Sequence, residues 1–148
     1  MKREILFRGK RVDNNEWVYG SLIVYSVTKD GKTKKYDIKL QDAYNTNLDN
    51  YRVIPETISQ FTGLTDKNEV KIFEGDKFDG DESGEYYVIS WNEEEATFQA
   101  NLYGYNVSYG EGSQEIYDDE VTCIDTNCFE LSALSSDIII GNIHDTNV

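Results

Sequence analysis

Apolar and polar residues alternate along much of this chain, which is the pattern of β-strands that bury one face. The clearest case is 96–102, where Ala96, Phe98, Ala100 and Leu102 alternate with polar residues. Alternation, together with β-branched and aromatic content, predicts further strands elsewhere. These are residues 4–8, 16–25, 34–40, 70–73, 86–91 and 121–124, with a fully buried strand at 138–140.

Glycines mark two special backbone positions in the first half of the chain. Gly20 interrupts the second predicted strand, which indicates a bulge or a close approach of another backbone segment. Asp30-Gly31 is a preferred pair for a tight hairpin turn, so it predicts that the second and third strands pair directly.

One stretch departs from the β pattern. Pro55 suits the first position of a helix, and Ile58 and Phe61 follow at a spacing that places them on one helical face. Gly63 lies where a residue in the left-handed conformation would end the helix. The sequence therefore predicts one short helix near 55–62.

Short, regularly spaced strands predict a mainly β fold, organised as a small antiparallel barrel or sandwich. An SH3-like barrel is one possibility for the C-terminal half, packed against an N-terminal hairpin layer. We expect loops at 41–50 and 103–114, which are rich in Asn, Asp, Gly and Ser. The length predicts a single domain over 1–148. Its parts would be a basic β-hairpin region at 1–52, a helix and connector at 53–76, and an acidic β-barrel region at 77–148.

Charge is divided unevenly between these parts. The chain of 148 residues has a net charge of −14, but residues 1–52 carry +4 and residues 53–148 carry −18. The overall acidity argues against binding of nucleic acid through its phosphates. The asymmetry points instead to association of the basic part with the acidic part, either within one molecule or head to tail between copies.

No apolar run is long enough to span a bilayer, and the first residues do not resemble a signal peptide. We therefore expect a cytoplasmic protein with no membrane partner.

Two groups of residues are candidates for an interaction surface. Trp17 and Tyr19 lie two apart on a predicted strand and so share one face. Core packing is the alternative use of these two aromatic residues. Lysines crowd the predicted hairpin turn, where they either bind a partner or are simply solvated. They are Lys29, Lys32, Lys34 and Lys35.

A weak candidate for a calcium loop begins at Asp79. Asp79, Asp81 and Ser83 supply oxygens at the first, third and fifth positions and Gly84 stands at the sixth, but the twelfth is Ser90 rather than Glu. A solvated acidic turn explains the same residues.

The remaining chemistry is sparse, and we expect no cofactor and no enzymatic activity. Cys123 and Cys128 lack the companions of a zinc site. His144 is the only histidine and therefore the only candidate base for a catalytic triad.

Six segments carry motifs that follow one another in a recognisable order: Arg3–Lys10, Glu16–Gly20, Val53–Gly63, Asp66–Asn68, Ile72–Asp76 and Ile140–Ile143. They resemble the motifs of the YopX family of small phage and prophage proteins. The resemblance covers nearly the whole chain, in matching order. It implies a largely β fold and a phage or prophage origin, and it implies no catalytic residues. One departure is Glu69, because the family usually has Gly after Asp-x-Asn, so Asn68 or Glu69 must adopt the strained turn conformation.

Together these features predict a non-enzymatic phage or prophage accessory protein that acts by protein–protein contact. Its expected partners are other copies of itself and possible host or phage proteins. The alternative is an acidic mimic of DNA that inhibits a nucleic-acid-binding enzyme of the host, since a stretch of net charge −18 can imitate phosphates.

Overall fold

The computed structural model describes residues 2–40 and 50–145. Of the loop predicted at 41–50, all residues except Asn50 lie outside the described part. Within that part the fold is mainly β, as predicted. The strands are β1 Phe7–Lys10, β2 Trp17–Ser26, β3 Lys34–Leu40, β4 Asn50–Arg52, β5 Ser59–Thr65, β6 Lys71–Phe73, β7 Asp76–Asp79, β8 Tyr86–Asn92, β9 Thr97–Tyr109, β10 Glu115–Asp125 and β11 Gly141–Asn142.

The strands form two antiparallel sheets with the orders β4-β3-β2-β1-β5-β6 and β10-β9-β8-β7-β11. Over the residues that the structure describes, the edge strands β10 and β11 of the second sheet do not pair. This sheet is therefore open, and the barrel that was one possibility for the C-terminal half is not formed. The chain divides into two compact units, residues 1–63 and 64–148. Folding as a single domain stays a prediction. No helix among the described residues is long and apolar enough to cross a membrane.

In the first unit, β2 and β3 pair along seven residues of each strand, from Gly20 opposite Leu40 to Ser26 opposite Lys34. The predicted close approach at Gly20 is confirmed. A Cβ atom at this position would lie 1.9 Å from the carbonyl oxygen of Lys39, so only glycine fits.

The helix predicted near 55–62 begins at Pro55, as predicted, but it is much shorter than expected. It is a 3-10 helix over Pro55–Thr57, and the chain then enters β5. The backbone N–H of Phe61 donates to the carbonyl of Leu6, just before β1, at 2.8 Å, and β5 pairs with β1 itself. These neighbours satisfy groups that a longer helix would have satisfied internally. Gly63, expected to end the helix, lies within β5 with φ +92°.

Two further predictions about secondary structure are wrong. The loop predicted at 103–114 is mostly strand, because β9 continues to Tyr109 before the turn into β10. The fully buried strand predicted at 138–140 is irregular. There Ile138 and Ile140 are exposed, and Ile139 is partly buried against the core of the second unit.

The core of the second unit lies on one face of its sheet. Tyr87 and Ile89 of β8 are buried there with Ala100 of β9, and Phe98 and Leu102 pack against them, as the alternation predicted. The other buried members of this cluster come from β6, β7 and a 3-10 helix, Leu131–Ser136. They are Ile72, Phe78 and Leu134.

A buried carboxylate stabilises the turn between β5 and β6. Asp66 accepts backbone N–H bonds from Asn68 at 2.8 Å and Val70 at 2.9 Å, and from the distant Ile139 at 3.1 Å. Burial alone would raise the pKa of this carboxyl, but the three N–H donors outweigh it and the pKa is lowered. Glu69 adopts φ +62° in the same turn, which confirms the prediction that Asn68 or Glu69 takes the strained conformation.

Candidate interaction surfaces

The hairpin turn between β2 and β3 presents a concentrated positive charge. Its backbone closes through the N–H of Val27, which donates to the carbonyl of Thr33 at 2.8 Å. Asp30 is 3.9 Å from the ammonium of Lys32, an exposed pair that leaves most of the charge uncompensated. We call residues 24–35 the basic tip. Its four lysines are all exposed: Lys29, Lys32, Lys34 and Lys35.

The basic tip is also partly apolar. Val24, Tyr25 and Val27 are exposed there. Because side chains alternate along a strand, Tyr25 shares a face with its cross-strand neighbour Lys35, while Lys34 lies on the opposite face. The tip therefore offers an aromatic ring beside an ammonium group.

Trp17 and Tyr19 share one face, as predicted, but they lie far from the lysines. Trp17 is nine residues along β2 from Ser26, the partner of Lys34. This separation is about 30 Å in an extended strand. The structure thus divides the six predicted surface residues into two groups instead of one patch.

The register of β1 and β2 gives Trp17 partners within the first unit. Lys10 lies directly opposite Trp17, and Arg8 lies opposite Tyr19. The guanidinium of Arg8 is 4.4 Å from the centre of the Trp17 ring, and the ammonium of Lys10 is 5.3 Å from it. Both cations are buried, so Trp17 stabilises desolvated charges through its π-face. This arrangement supports a structural use of Trp17.

The structure also presents an exposed apolar surface that the sequence did not predict. Beyond Leu102, strands β9 and β10 continue as a two-stranded ribbon, with Tyr105 opposite Val121 and Val107 opposite Tyr117. Cross-strand partners and alternate residues share a face. We call this side of the ribbon the aromatic face. Its members, all exposed, are Tyr105, Val107, Tyr109, Tyr117 and Val121.

The reverse side of the ribbon is mainly polar. There the amide of Asn106 donates to the hydroxyl of Thr122 at 3.0 Å, and Ser108 donates to the carbonyl of Ile116 at 3.4 Å. The ribbon is therefore amphipathic, but its apolar side faces solvent. Tyr109 is 71% exposed and Tyr117 is 58% exposed.

Acidic residues border the aromatic face. The register shifts between Tyr117 and Val121, and the three residues of this irregularity, 118–120, are all Asp or Glu. Residues 103–125 hold six acidic residues and no Lys or Arg. The negative charge at the bulged edge strand β10 opposes unspecific pairing with a strand of another chain, while the aromatic face remains accessible to a partner.

The calcium candidate forms the turn between β7 and β8. The N–H of Gly80 donates to the carbonyl of Glu85 at 3.0 Å, and the Tyr87 hydroxyl donates to the carboxylate of Asp81 at 3.3 Å. Over residues 2–40 and 50–145, no three His, Cys, Asp or Glu side chains are placed to hold a metal. The sequence predicts no metal site, and Asp79, Asp81 and Ser83 stay a weak calcium candidate that the structure does not test.

Neither cysteine forms a disulfide in the described structure. Cys123 is exposed, and its thiol lies 3.4 Å from the carbonyl oxygen of Asp125. Burial raises the pKa of the Cys128 thiol, which disfavours the reactive thiolate.

Comparison with protein families matches residues 6–147 to the YopX protein family. The chain belongs to the YopX family. No curated protein matches it significantly. The family match covers both compact units, so the basic tip and the aromatic face both lie within it.

The YopX-like motifs of the second unit converge around its last strand. Asp76, the final residue of the Ile72–Asp76 motif, pairs with Asn142 of the Ile140–Ile143 motif. The N–H of Ile143 donates to the carbonyl of Gly75 at 3.0 Å, and the N–H of Lys67 donates to that of Asp137 at 2.8 Å. These YopX motifs therefore hold the fold together, and the candidate interaction surfaces lie elsewhere.

Proposed function

We propose that this YopX-family protein is a non-enzymatic accessory protein of a phage or prophage. It acts by protein–protein contact and self-associates in the cytoplasm of the bacterial host. The observation that carries the proposal is the aromatic face of the β9–β10 ribbon, which presents two tyrosines and a valine from β9 beside a tyrosine and a valine from β10.

The exposure of this ribbon and its tyrosine content both support a role in association. A two-stranded ribbon is at best marginally stable in water, and contiguous apolar patches on soluble proteins commonly mark sites of interaction. Tyrosine is also enriched at the energetic centres of interfaces, because its ring covers apolar area while its hydroxyl remains able to hydrogen-bond. Covering the face would stabilise both the contact and the ribbon.

Sedimentation equilibrium of the purified chain, at low and at high salt, tests self-association. We expect a mass of two or more chains under at least one condition. A strict monomer at both salt concentrations, at protein concentrations up to about 100 µM, would contradict the proposal, since specific interfaces of ordinary size bind more tightly than this.

Mimicry of DNA is a second candidate, supported by the charge of −18 over residues 53–148. On the described residues six of these acids stand in two groups of three, in a turn at 93–95 and in the irregularity at 118–120. Duplex DNA instead carries charges at regular spacing. The test is capture from a bacterial lysate on the immobilised protein. Release of a bound nucleic-acid enzyme by short duplex DNA, and not by added copies of the protein, would favour mimicry.

A further inference from the structure

The aromatic face and the basic tip have complementary properties. Residues 103–125 carry a charge of −6, and residues 24–35 carry four lysines and one aspartate, a charge of +3. Each surface also exposes rings or β-branched side chains, such as Tyr109 on the ribbon and Tyr25 on the tip. An interface between them would combine apolar contact at its centre with charge attraction at its rim, the usual anatomy of specific interfaces.

We propose that the aromatic face of one copy binds the basic tip of a second copy. This inference rests on the proposed self-association and names its two surfaces. Tyr25 and Val27 of the tip contact Tyr109 and Tyr117 of the ribbon. The lysines that flank them meet Asp118 and Glu120.

Charge selects this arrangement over a symmetric one. Two ribbons face to face would bring charges of −6 together, and two tips would bring charges of +3 together. Like charges across an interface cost several kcal/mol, so both symmetric contacts are disfavoured. The tip–ribbon contact uses two different surfaces and is therefore heterologous. Each copy offers both surfaces, so the contact propagates into a ring, or into a filament if the rotation does not close.

A heterologous contact can be tested with two variants that each lose one surface. Tyr109→Ser with Tyr117→Ser removes the two most exposed rings of the aromatic face. Lys34→Glu with Lys35→Glu reverses charge at the tip. We expect each variant alone to weaken self-association at least about 30-fold, because each removes groups at an interface centre or inverts its charge complementarity.

Mixing the two variants is the decisive measurement. The ribbon variant retains an intact tip and the tip variant retains an intact ribbon, so one intact contact forms between unlike copies. We expect a 1:1 heterodimer that grows no further, with an affinity near that of the native contact. Sedimentation velocity with one variant fluorescently labelled measures this. Persistent monomers in the mixture would overturn the proposal.

Two control variants place changes of the same kind away from both surfaces. Val12→Ser with Val70→Ser removes exposed apolar side chains elsewhere, and Lys2→Glu with Lys67→Glu makes the same change in net charge away from the tip. Both controls should associate like the native chain. Circular dichroism verifies that every variant is folded.

The outcomes separate the two proposals. If the native chain is monomeric, self-association fails and this inference fails with it. If the native chain associates but the ribbon or the tip variant associates equally well, the tip–ribbon contact is wrong while self-association stands. If the tip variant self-associates like the native chain while the ribbon variant does not self-associate, the contact is between two ribbons.

Discussion

The side-chain amide of Asn142 donates a hydrogen bond of 3.2 Å to the buried carboxylate of Asp76, sixty-six residues earlier in the chain. The second carboxylate oxygen of Asp76 accepts the backbone N–H of Phe73 at 2.8 Å. One buried charge thus closes the β6–β7 turn and holds the short strand β11 beside β7. Both residues belong to YopX-like motifs, and their role is to stabilise the second unit.

Replacing Asn142 by alanine should lower the free energy of unfolding by about 1–3 kcal/mol, because a buried carboxylate loses a donor that water cannot replace. Urea denaturation followed by fluorescence measures the loss. Asn106→Ala removes a similar amide hydrogen bond at an exposed site, and should cost less than about 0.5 kcal/mol. Equal losses of unfolding free energy in the two variants would show that the burial of Asp76 does not increase the cost of losing the hydrogen bond.

Asp66 should make stability depend on pH. Its pKa is lower in the folded state, so the ionised carboxylate stabilises the fold above the unfolded-state pKa. This contribution is lost as the pH falls through the folded-state pKa. Asp66→Asn should therefore be less stable than the native chain at pH 7, and the difference should shrink below about pH 4.

Urea titrations of both proteins at pH 7, 5 and 3 provide the measurement for Asp66. Because the other acidic residues are common to both proteins, their titration cancels in the difference. A difference that stays constant over this range would contradict the assignment of three N–H donors to an ionised carboxylate.

Glu69→Gly should stabilise the protein by about 1 kcal/mol. Glu69 has φ +62°, a left-handed conformation that costs an L-residue about 1–2 kcal/mol and costs glycine nothing. Part of this gain is offset, because glycine has more conformational freedom to lose on folding. Thermal unfolding measures the gain. Glu69→Ala removes the same carboxylate but keeps the strain, so any stabilisation it shares with Glu69→Gly must come from charge rather than from the backbone.

Gly75→Ala and Gly63→Ala separate backbone strain from crowding. Both glycines have positive φ, +85° and +92°. A Cβ at Gly75 would lie 3.0 Å from the amide nitrogen of Asn142, whereas nothing lies within 4 Å of one at Gly63. We expect the change at Gly75 to cost at least about 1 kcal/mol more in chemical denaturation, because it displaces the donor to Asp76. Equal costs would mean that the neighbouring side chain moves freely.

Local sequence patterns were sufficient to predict the strands that pair with the next strand along the chain. The β2–β3 hairpin follows from Asp30-Gly31 and the alternation on either side, and β3 begins and ends where predicted. The exposed lysines of the basic tip follow from the same turn. These features depend on a tight turn and on period-two burial, which can both be read from the sequence.

Elements that depend on distant partners could not be predicted in this way. Ile58 and Phe61 have helical spacing, but the residues between them pair with β1 and the chain extends instead. The aromatic face was missed because glycine, asparagine and serine separate its tyrosines, and only the pairing of β9 with β10 aligns them. Similarly, the packing of cationic side chains against the Trp17 ring depends on the register of β1 and β2, which places Lys10 opposite Trp17.

The contact between Asp66 and the N–H of Ile139 spans seventy-three residues and has a consequence for the order of events during translation. Strands β1 to β5 are all complete once residue 65 has emerged from the ribosome, so the first unit can fold early. Two of the three donors to Asp66, the N–H groups of Asn68 and Val70, are made almost at once, but the third is made more than seventy residues later. Throughout that interval the turn between β5 and β6 is only partly stabilised, so the second unit completes its hydrogen bonds late in synthesis.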